Sequence, residues 1–141
     1  MFQQNYPSVQ HPYSFELNKD FNFSAAHYIP SDDAGKCMRT HGHTYFVNLT
    51  IAGDTLDHNG FLVNFSELKQ LVHGQFDHYL LNDFPKFEGK SPSTEIVAQT
   101  IYEMVQTSLN QRDNQPKCLQ VYVRETPTSY VVYRPKETKH E

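Results

Sequence analysis

The sequence predicts an α+β domain in which a four-stranded antiparallel sheet carries two helices on one face. Three observations predict it. Two long stretches near the N-terminus and two shorter ones near the C-terminus alternate apolar and polar residues with the period of a strand. Between them lie two segments with helical apolar spacing, which makes the order ββααββ. No repeat or linker divides the 141 residues, a length that suits one compact domain. Two helices can cover only one face of such a sheet, so the other must meet water, either bulk or inside an oligomeric barrel.

Residues 1–14 contain Gln, Pro and Tyr without a period and read as an arm, with Tyr6 or Tyr13 able to dock on a neighbour. The first strand covers about 14–26. Phe15, Leu17, Phe21, Phe23, Ala25 and His27 share its inner parity, with Lys19 the exception, while Glu16, Asn18, Asp20, Asn22 and Ser24 share the outer one. A turn-rich loop from Pro30 to Lys36 delivers Cys37. The second strand, about 42–52, alternates Tyr45, Val47, Leu49 and Ile51 with Thr44, Phe46, Asn48 and Thr50. Asn59-Gly60 signals a turn, and Phe61–Val63 a short extended piece.

Asn64-Phe-Ser-Glu67 has the form of a capping box, followed by the apolar stripe Phe65, Leu68, Leu71, Val72 and Phe76. After Asp77-His78, residues 82–90 read as loop. A second helix starts near Pro92-Ser-Thr-Glu95, with Pro at an early helical position, and runs to about Asn110. Its inner face carries Ile96, Val97, Ile101, Met104, Val105 and Leu109. Strand three is 118–125 and strand four about 129–134, joined by Thr-Pro-Thr. The domain proper is 15–135, and 136–141 form a tail. The face opposite the helices would carry Glu16, Asn18, Asp20, Asn22, Thr44, Asn48, Gln120 and Arg124.

Composition excludes several classes of function. A net charge of −4 lacks the basic footprint of a nucleic-acid binder. No apolar run approaches the roughly 20 residues that span a bilayer, and no signal peptide opens the chain. Two cysteines, Cys37 and Cys118, make no disulfide framework; free thiols fit a reducing cytoplasm.

The chemistry centres on Cys37-Met-Arg-Thr-His-Gly-His43. His41 and His43 point the same way on an extended strand, and His27 ends the inner parity of the strand before. An antiparallel pairing of the two strands brings all three imidazoles to one end of the sheet. Three neutral imidazoles suit zinc, with a fourth position left for water or substrate. A closed structural site, with Cys37 as fourth ligand, is the alternative that spacing leaves open. Leu119, Val121 and Val123 set the apolar parity of strand three, and Glu125 falls on it. An inward carboxylate needs a partner, and a ligand with paired N–H donors would supply one; a place past the strand end in solvent is the bland reading. Asp77-His78 reads as an orienting carboxylate with a proton-transfer base, or simply as a solvated helix end. Cys37, beside a dication and a protonated His78, would be favoured as thiolate.

Taken together, Phe23-Ser-Ala-Ala-His27, Lys36–His43, Gly60–Lys69, Phe76–Asn82, Pro92-Ser-Thr-Glu95 and Arg124–Tyr130 resemble the 6-pyruvoyl-tetrahydropterin synthase family over about residues 15–135. Within it they look most like the bacterial branch that makes 6-carboxy-5,6,7,8-tetrahydropterin for queuosine biosynthesis. The three residues between Cys37 and His41 match that branch, whereas Asn64 departs from its usual aspartate. The resemblance implies zinc on His27, His41 and His43, a base at Cys37, a relay through Asp77 and His78, and a pterin anchor at Glu125. It implies that Thr94 and Glu95 frame the pterin pocket. The fold implied is the tunnelling fold, its sheets joined into the barrel of a homohexamer of paired trimers, with active sites between subunits. The substrate implied is 7,8-dihydroneopterin triphosphate, cleaved to 6-carboxytetrahydropterin, acetaldehyde and triphosphate. Lys36 and Arg39 flank the site as candidates for the triphosphate. Elimination of triphosphate alone, to 6-pyruvoyl-tetrahydropterin, is the rival within the family, and a non-catalytic zinc-binding assembly module is the rival from another class.

Overall fold

The structure, a computed structural model, describes residues 5–136, with the side chains of Asp32, Ala34 and Cys37 outside the described residues. The main elements come in the expected order: β1 (Phe15–His27), β2 (His41–Gly53), α1 (Phe65–Phe76), α2 (Thr94–Leu109), β3 (Lys117–Thr126) and β4 (Ser129–Tyr133). The sheet order is β1-β2-β3-β4, with every neighbouring pair antiparallel. Matched alternation on β1 and β2 lets their ladder run without a slip from Phe15 opposite Gly53 to His27 opposite His41.

The inner face of the sheet buries Phe23, Tyr45, Leu49, Ile51, Val121 and Val123. Leu68, Val72 and Phe76 of α1 and Val97, Ile101, Val105 and Leu109 of α2 close over them. Phe65 does not join this core; it is exposed, and Lys19 lies over its ring at 5.8 Å. That contact accounts for the one charge on the inner parity of β1, a stem over apolar surface with its ammonium at the rim. Phe23 is fully buried and stacks on Tyr45 with ring centroids 4.9 Å apart. Phe23→Ala is expected to cost about 3–5 kcal/mol. The check is the denaturant midpoint, which should fall at an unchanged slope.

The structure corrects five further readings of local elements. Phe61–Val63 is not extended but bends, with Leu62 and Val63 buried. The turn before it is an Asx loop, in which Asp57 Oδ1 accepts the N–H groups of Asn59 and Phe61 at 2.8 and 3.0 Å. The capping box is half made: Asn64 accepts from the Ser66 N–H at 2.9 Å, but Glu67 turns away to pair with Arg112. The loop after Leu80 contains two short 3-10 turns, Leu81–Asp83 and Pro85–Phe87, and Phe87 joins the core. Pro92 lies outside α2, because Ser93 is the N-cap and accepts from the Ile96 N–H at 3.2 Å.

The fifth correction concerns strand three. Thr50 pairs with Gln120 but Ile51 pairs with Cys118, so Leu119 is an extra residue, a bulge. Below the bulge the parity flips, and Cys118 rather than Leu119 enters the core. Burial pushes its thiol up to about 12, which makes it inert.

The outer face also differs from expectation. Glu16, Asn18, Asp20, Asn22 and Thr44 are exposed, but Asn48, Thr50 and Gln120 are buried. The arm covers part of it. Gln120 Nε2 donates to the Pro7 carbonyl at 2.9 Å, and the Tyr6 ring meets Tyr122 edge-on at 4.8 Å. Burial, and a hydrogen bond to Asp20, hold the Tyr6 hydroxyl well above the ordinary phenol range. Tyr6 thus docks on its own chain.

Candidate functional site

The β1–β2 register brings the histidines together, since His27 stands opposite His41 and Ala25 opposite His43. Ring centroids are 4.4 Å apart for His27 and His41, 5.1 Å for His27 and His43, and 4.8 Å for His41 and His43. β3 adds Glu125, so that ligand atoms of all four residues lie within 4.8 Å of one another.

Backbone carbonyls determine which ring nitrogens are free. His27 Nδ1 lies 2.7 Å from the Pro92 carbonyl, and His41 Nδ1 lies 2.8 Å from the Arg39 carbonyl. A carbonyl can only accept, so both Nδ1 atoms carry their protons and donate. Both Nε2 atoms are then lone-pair acceptors, yet they face each other at 2.9 Å. His43 Nε2 is buried without a hydrogen bond, although Glu125 Oε1 is 2.7 Å away. Lone pairs converging in a half-buried site repel unless a cation lies among them, so the donor set fits a metal ion. Carbonyls that orient the rings through Nδ1 are the outer shell such sites use. Burial holds His43 below the ordinary imidazole range, with Glu125 opposing and His27 and His41 assisting. That favours the neutral, ligating form.

Tyr45 reaches the same ring, its hydroxyl 3.2 Å from His27 Nδ1. Burial and then the Glu125 carboxylate push this phenol far above its usual range, so it stays protonated. Thr94 is buried at the start of α2, and its hydroxyl donates to Glu125 Oε2. Glu95, beside it, is exposed. Glu125 is therefore inward and partnered, as its parity required. Its Oε1 belongs to the histidine group, 3.4 Å from His27 Nε2.

Asp77 and His78 lie against the outer edge of β1. The Ser24 N–H donates to Asp77 Oδ1 at 2.8 Å, and the His78 N–H donates to the Ser24 carbonyl at 2.6 Å. These bonds hold His78 at φ 67°, a left-handed conformation uncommon for a side-chain-bearing residue. The Ser24 N–H also lowers the Asp77 pKa, with burial opposing and His78 and His73 assisting. The ionised carboxylate sits 3.2 Å from His78 Nε2, whose side chain is 83% exposed. A shallow groove lined by Ser24, Thr44, His43, His78 and Tyr79 places His78 on the same side as His43. The Cys37 side chain lies outside the described residues; its backbone belongs to the 3-10 segment Asp32–Met38.

A larger cleft, of about 750 Å³, opens beside the histidines and is lined by His43, Thr44, Phe46, Tyr122, Arg124 and Glu125 among others. Lys36 and Arg39 are exposed and do not line it. Sequence reasoning missed the Pro92 and Arg39 carbonyls and the Tyr45 hydroxyl. No side-chain pattern marks a carbonyl that orients a ring, and Tyr45 reads as a core aromatic like its neighbours.

A family model described as 6-pyruvoyl tetrahydropterin synthase matches residues 16–136. A 6-carboxy-5,6,7,8-tetrahydropterin synthase of Bacillus subtilis (strain 168) is 62% identical over 141 residues, covering 97% of this chain and 97% of that protein. A Synechocystis protein of the same name is 36% identical over 125 residues, covering 83% of this chain and 91% of its own. Among solved structures, the Caenorhabditis elegans 6-pyruvoyl tetrahydropterin synthase matches with a TM-score of 0.70 at 22% identity. That match covers 92% of this chain and 100% of that one, and it bears on the fold.

Proposed function

We infer the function from the family to which this chain belongs, that of 6-pyruvoyl tetrahydropterin synthase. The chain is a lyase that converts 7,8-dihydroneopterin triphosphate and one water to 6-carboxy-5,6,7,8-tetrahydropterin, acetaldehyde and triphosphate, a step of queuosine biosynthesis. The observation that carries this reading is the 62% identity to the Bacillus protein across 97% of both chains.

The metal these residues suit is zinc, which His27, His41 and His43 would hold, because three neutral imidazoles match that ion. When bound, zinc supplies Lewis acidity that makes the substrate's side-chain hydroxyls and the adjacent C–H more acidic. Cys37, as thiolate, takes the proton from that carbon. Asp77, kept ionised by the Ser24 N–H, orients His78, which moves protons in the later steps. Glu125 accepts the paired N–H donors of the pterin edge, with Thr94 fixing Oε2 and Glu95 framing the pocket. Glu125→Gln is expected to raise KM about tenfold or more, since hydrogen bonds to a charged group contribute about 1.5–3 kcal/mol. Metal content should not change; a matching loss of zinc would make Glu125 a ligand instead.

The assembly is a homohexamer, a dimer of trimers whose sheets join edge to edge. What supports it is that β1 and β4 are the outermost strands of the sheet, β1 covered by residues 77–80 only near its C-terminal end, with Phe15, Phe61 and Phe65 exposed. Light scattering should give six times the 16.4 kDa of one chain. A reducing cytoplasm suits a reaction that depends on a free thiolate. Among the described residues no helix is long and apolar enough to cross a membrane.

The test of the function is mass spectrometry of the products formed from dihydroneopterin triphosphate with zinc. Acetaldehyde is the expected product. A pyruvoyl pterin without acetaldehyde would assign the chain to the activity for which its Dictyostelium discoideum relative, 31% identical, is named.

A further inference from the structure

We propose that Arg124 is the anion-binding residue of the cleft and takes the polyphosphate end of the substrate, an assignment that rests on the function proposed above. The β2–β3 ladder ends where Phe46 pairs with Arg124. Beyond that pair the strands part, and the cleft between them is lined by Gly42 and His43 on one side and by Glu125, Thr126 and Pro127 on the other. Alternation along β3 puts Glu125 with the histidines and Arg124 on the opposite face. The gap therefore joins the candidate metal group to a guanidinium.

That guanidinium is built into place. Its Nε donates to the Tyr122 hydroxyl at 2.9 Å and its Nη1 to the Pro127 carbonyl at 2.9 Å. Its carbon lies 4.9 Å from the centre of the Tyr130 ring and 5.7 Å from that of Tyr122. Those two rings stack on each other at 4.8 Å, and Tyr6 from the arm braces Tyr122 from the side. Among the described residues none forms an ion pair with Arg124. A half-buried cation fixed in this way and in no ion pair among the described residues suits planar, directed recognition of a phosphate oxygen. Among the described residues Arg124 is also the only Lys or Arg that lines the cleft. The net charge of −4 gives a polyanion no general attraction, so its binding depends on a local cation.

The test uses the zinc-loaded full chain with Arg124→Met, Arg124→Lys and, for comparison, Arg39→Met. Calorimetry follows the binding of inorganic triphosphate and of neopterin, which has no phosphate, alongside KM and kcat for the triphosphate substrate. In Arg124→Met, triphosphate affinity should fall about 10–100-fold, the effect of one charged hydrogen-bonding group. Most of the loss should appear in KM, neopterin affinity should hold, and Arg124→Lys should recover part of the loss. Triphosphate binding that is unchanged in Arg124→Met, or lost instead in Arg39→Met, overturns the assignment. So does an equal loss of neopterin binding, which would mark Arg124 as a support of the turn. If the wild-type chain binds triphosphate through Arg124 but forms no product, the proposed reaction fails while the anion site stands.

Discussion

Replacing Cys37 with alanine is expected to leave the metal and the assembly intact and to stop the reaction. Loss of a positioned base lowers turnover by about 10²–10⁴-fold. Cys37 belongs to a short segment with both ends fixed, the second of them at the site. Ser31 caps its start, accepting from the Asp33 N–H at 3.3 Å, and just past its end the Arg39 carbonyl receives the Nδ1–H of His41. Between them Gly35, at φ 58° and ψ −122°, makes a kink that a residue with a Cβ adopts only under strain. The backbone around Cys37 therefore shares an anchor with one of the proposed ligands. The other thiol cannot serve, because burial in the core keeps Cys118 protonated. Metal analysis, light scattering and product detection on Cys37→Ala separate the roles. Zinc lost in step with activity would make Cys37 a structural ligand and remove the proposed base.

His41→Ala should behave in the opposite way, losing metal and product together. His41 faces His27 at 2.9 Å with its lone pair, so its loss removes a direct donor rather than an orienting partner. The drop in metal affinity should exceed the roughly 10–100-fold that an outer-shell partner is worth. Chelation of the wild-type chain should reproduce the defect, and added zinc should reverse it only there. Affinity should also weaken as pH falls through the imidazole range, because a ring ligates only without its second proton. Burial of His43 lowers its pKa, which extends metal binding toward acid. Zinc retained at full stoichiometry in His41→Ala would contradict the assignment.

The features legible in the sequence were those with a period. Alternation along β1 and β2 set both the strands and the parity of His27, His41 and His43, and an antiparallel pairing through the loop 28–40 was enough to bring the three together. Glu125 could be suspected because it broke a pattern. The features that escaped had no period to reveal them. The bulge at Leu119 leaves no compositional mark, yet it decides that Cys118 is buried. The arm docks through one ring edge and one backbone carbonyl, contacts that polar, aperiodic residues do not announce. Pro92 reads as a helix starter, whereas its carbonyl orients His27. Arg124 reads as one polar residue of an outer face until the end of a ladder places it on the cleft.

The account depends on three imidazole nitrogens sharing one zinc ion, with Cys37 near but unbound. X-ray absorption at the zinc edge on the active chain tests this most directly. The prediction is a first shell of nitrogen and oxygen at about 2.0–2.1 Å with imidazole scattering. A sulfur neighbour at about 2.3 Å in the working enzyme would contradict it.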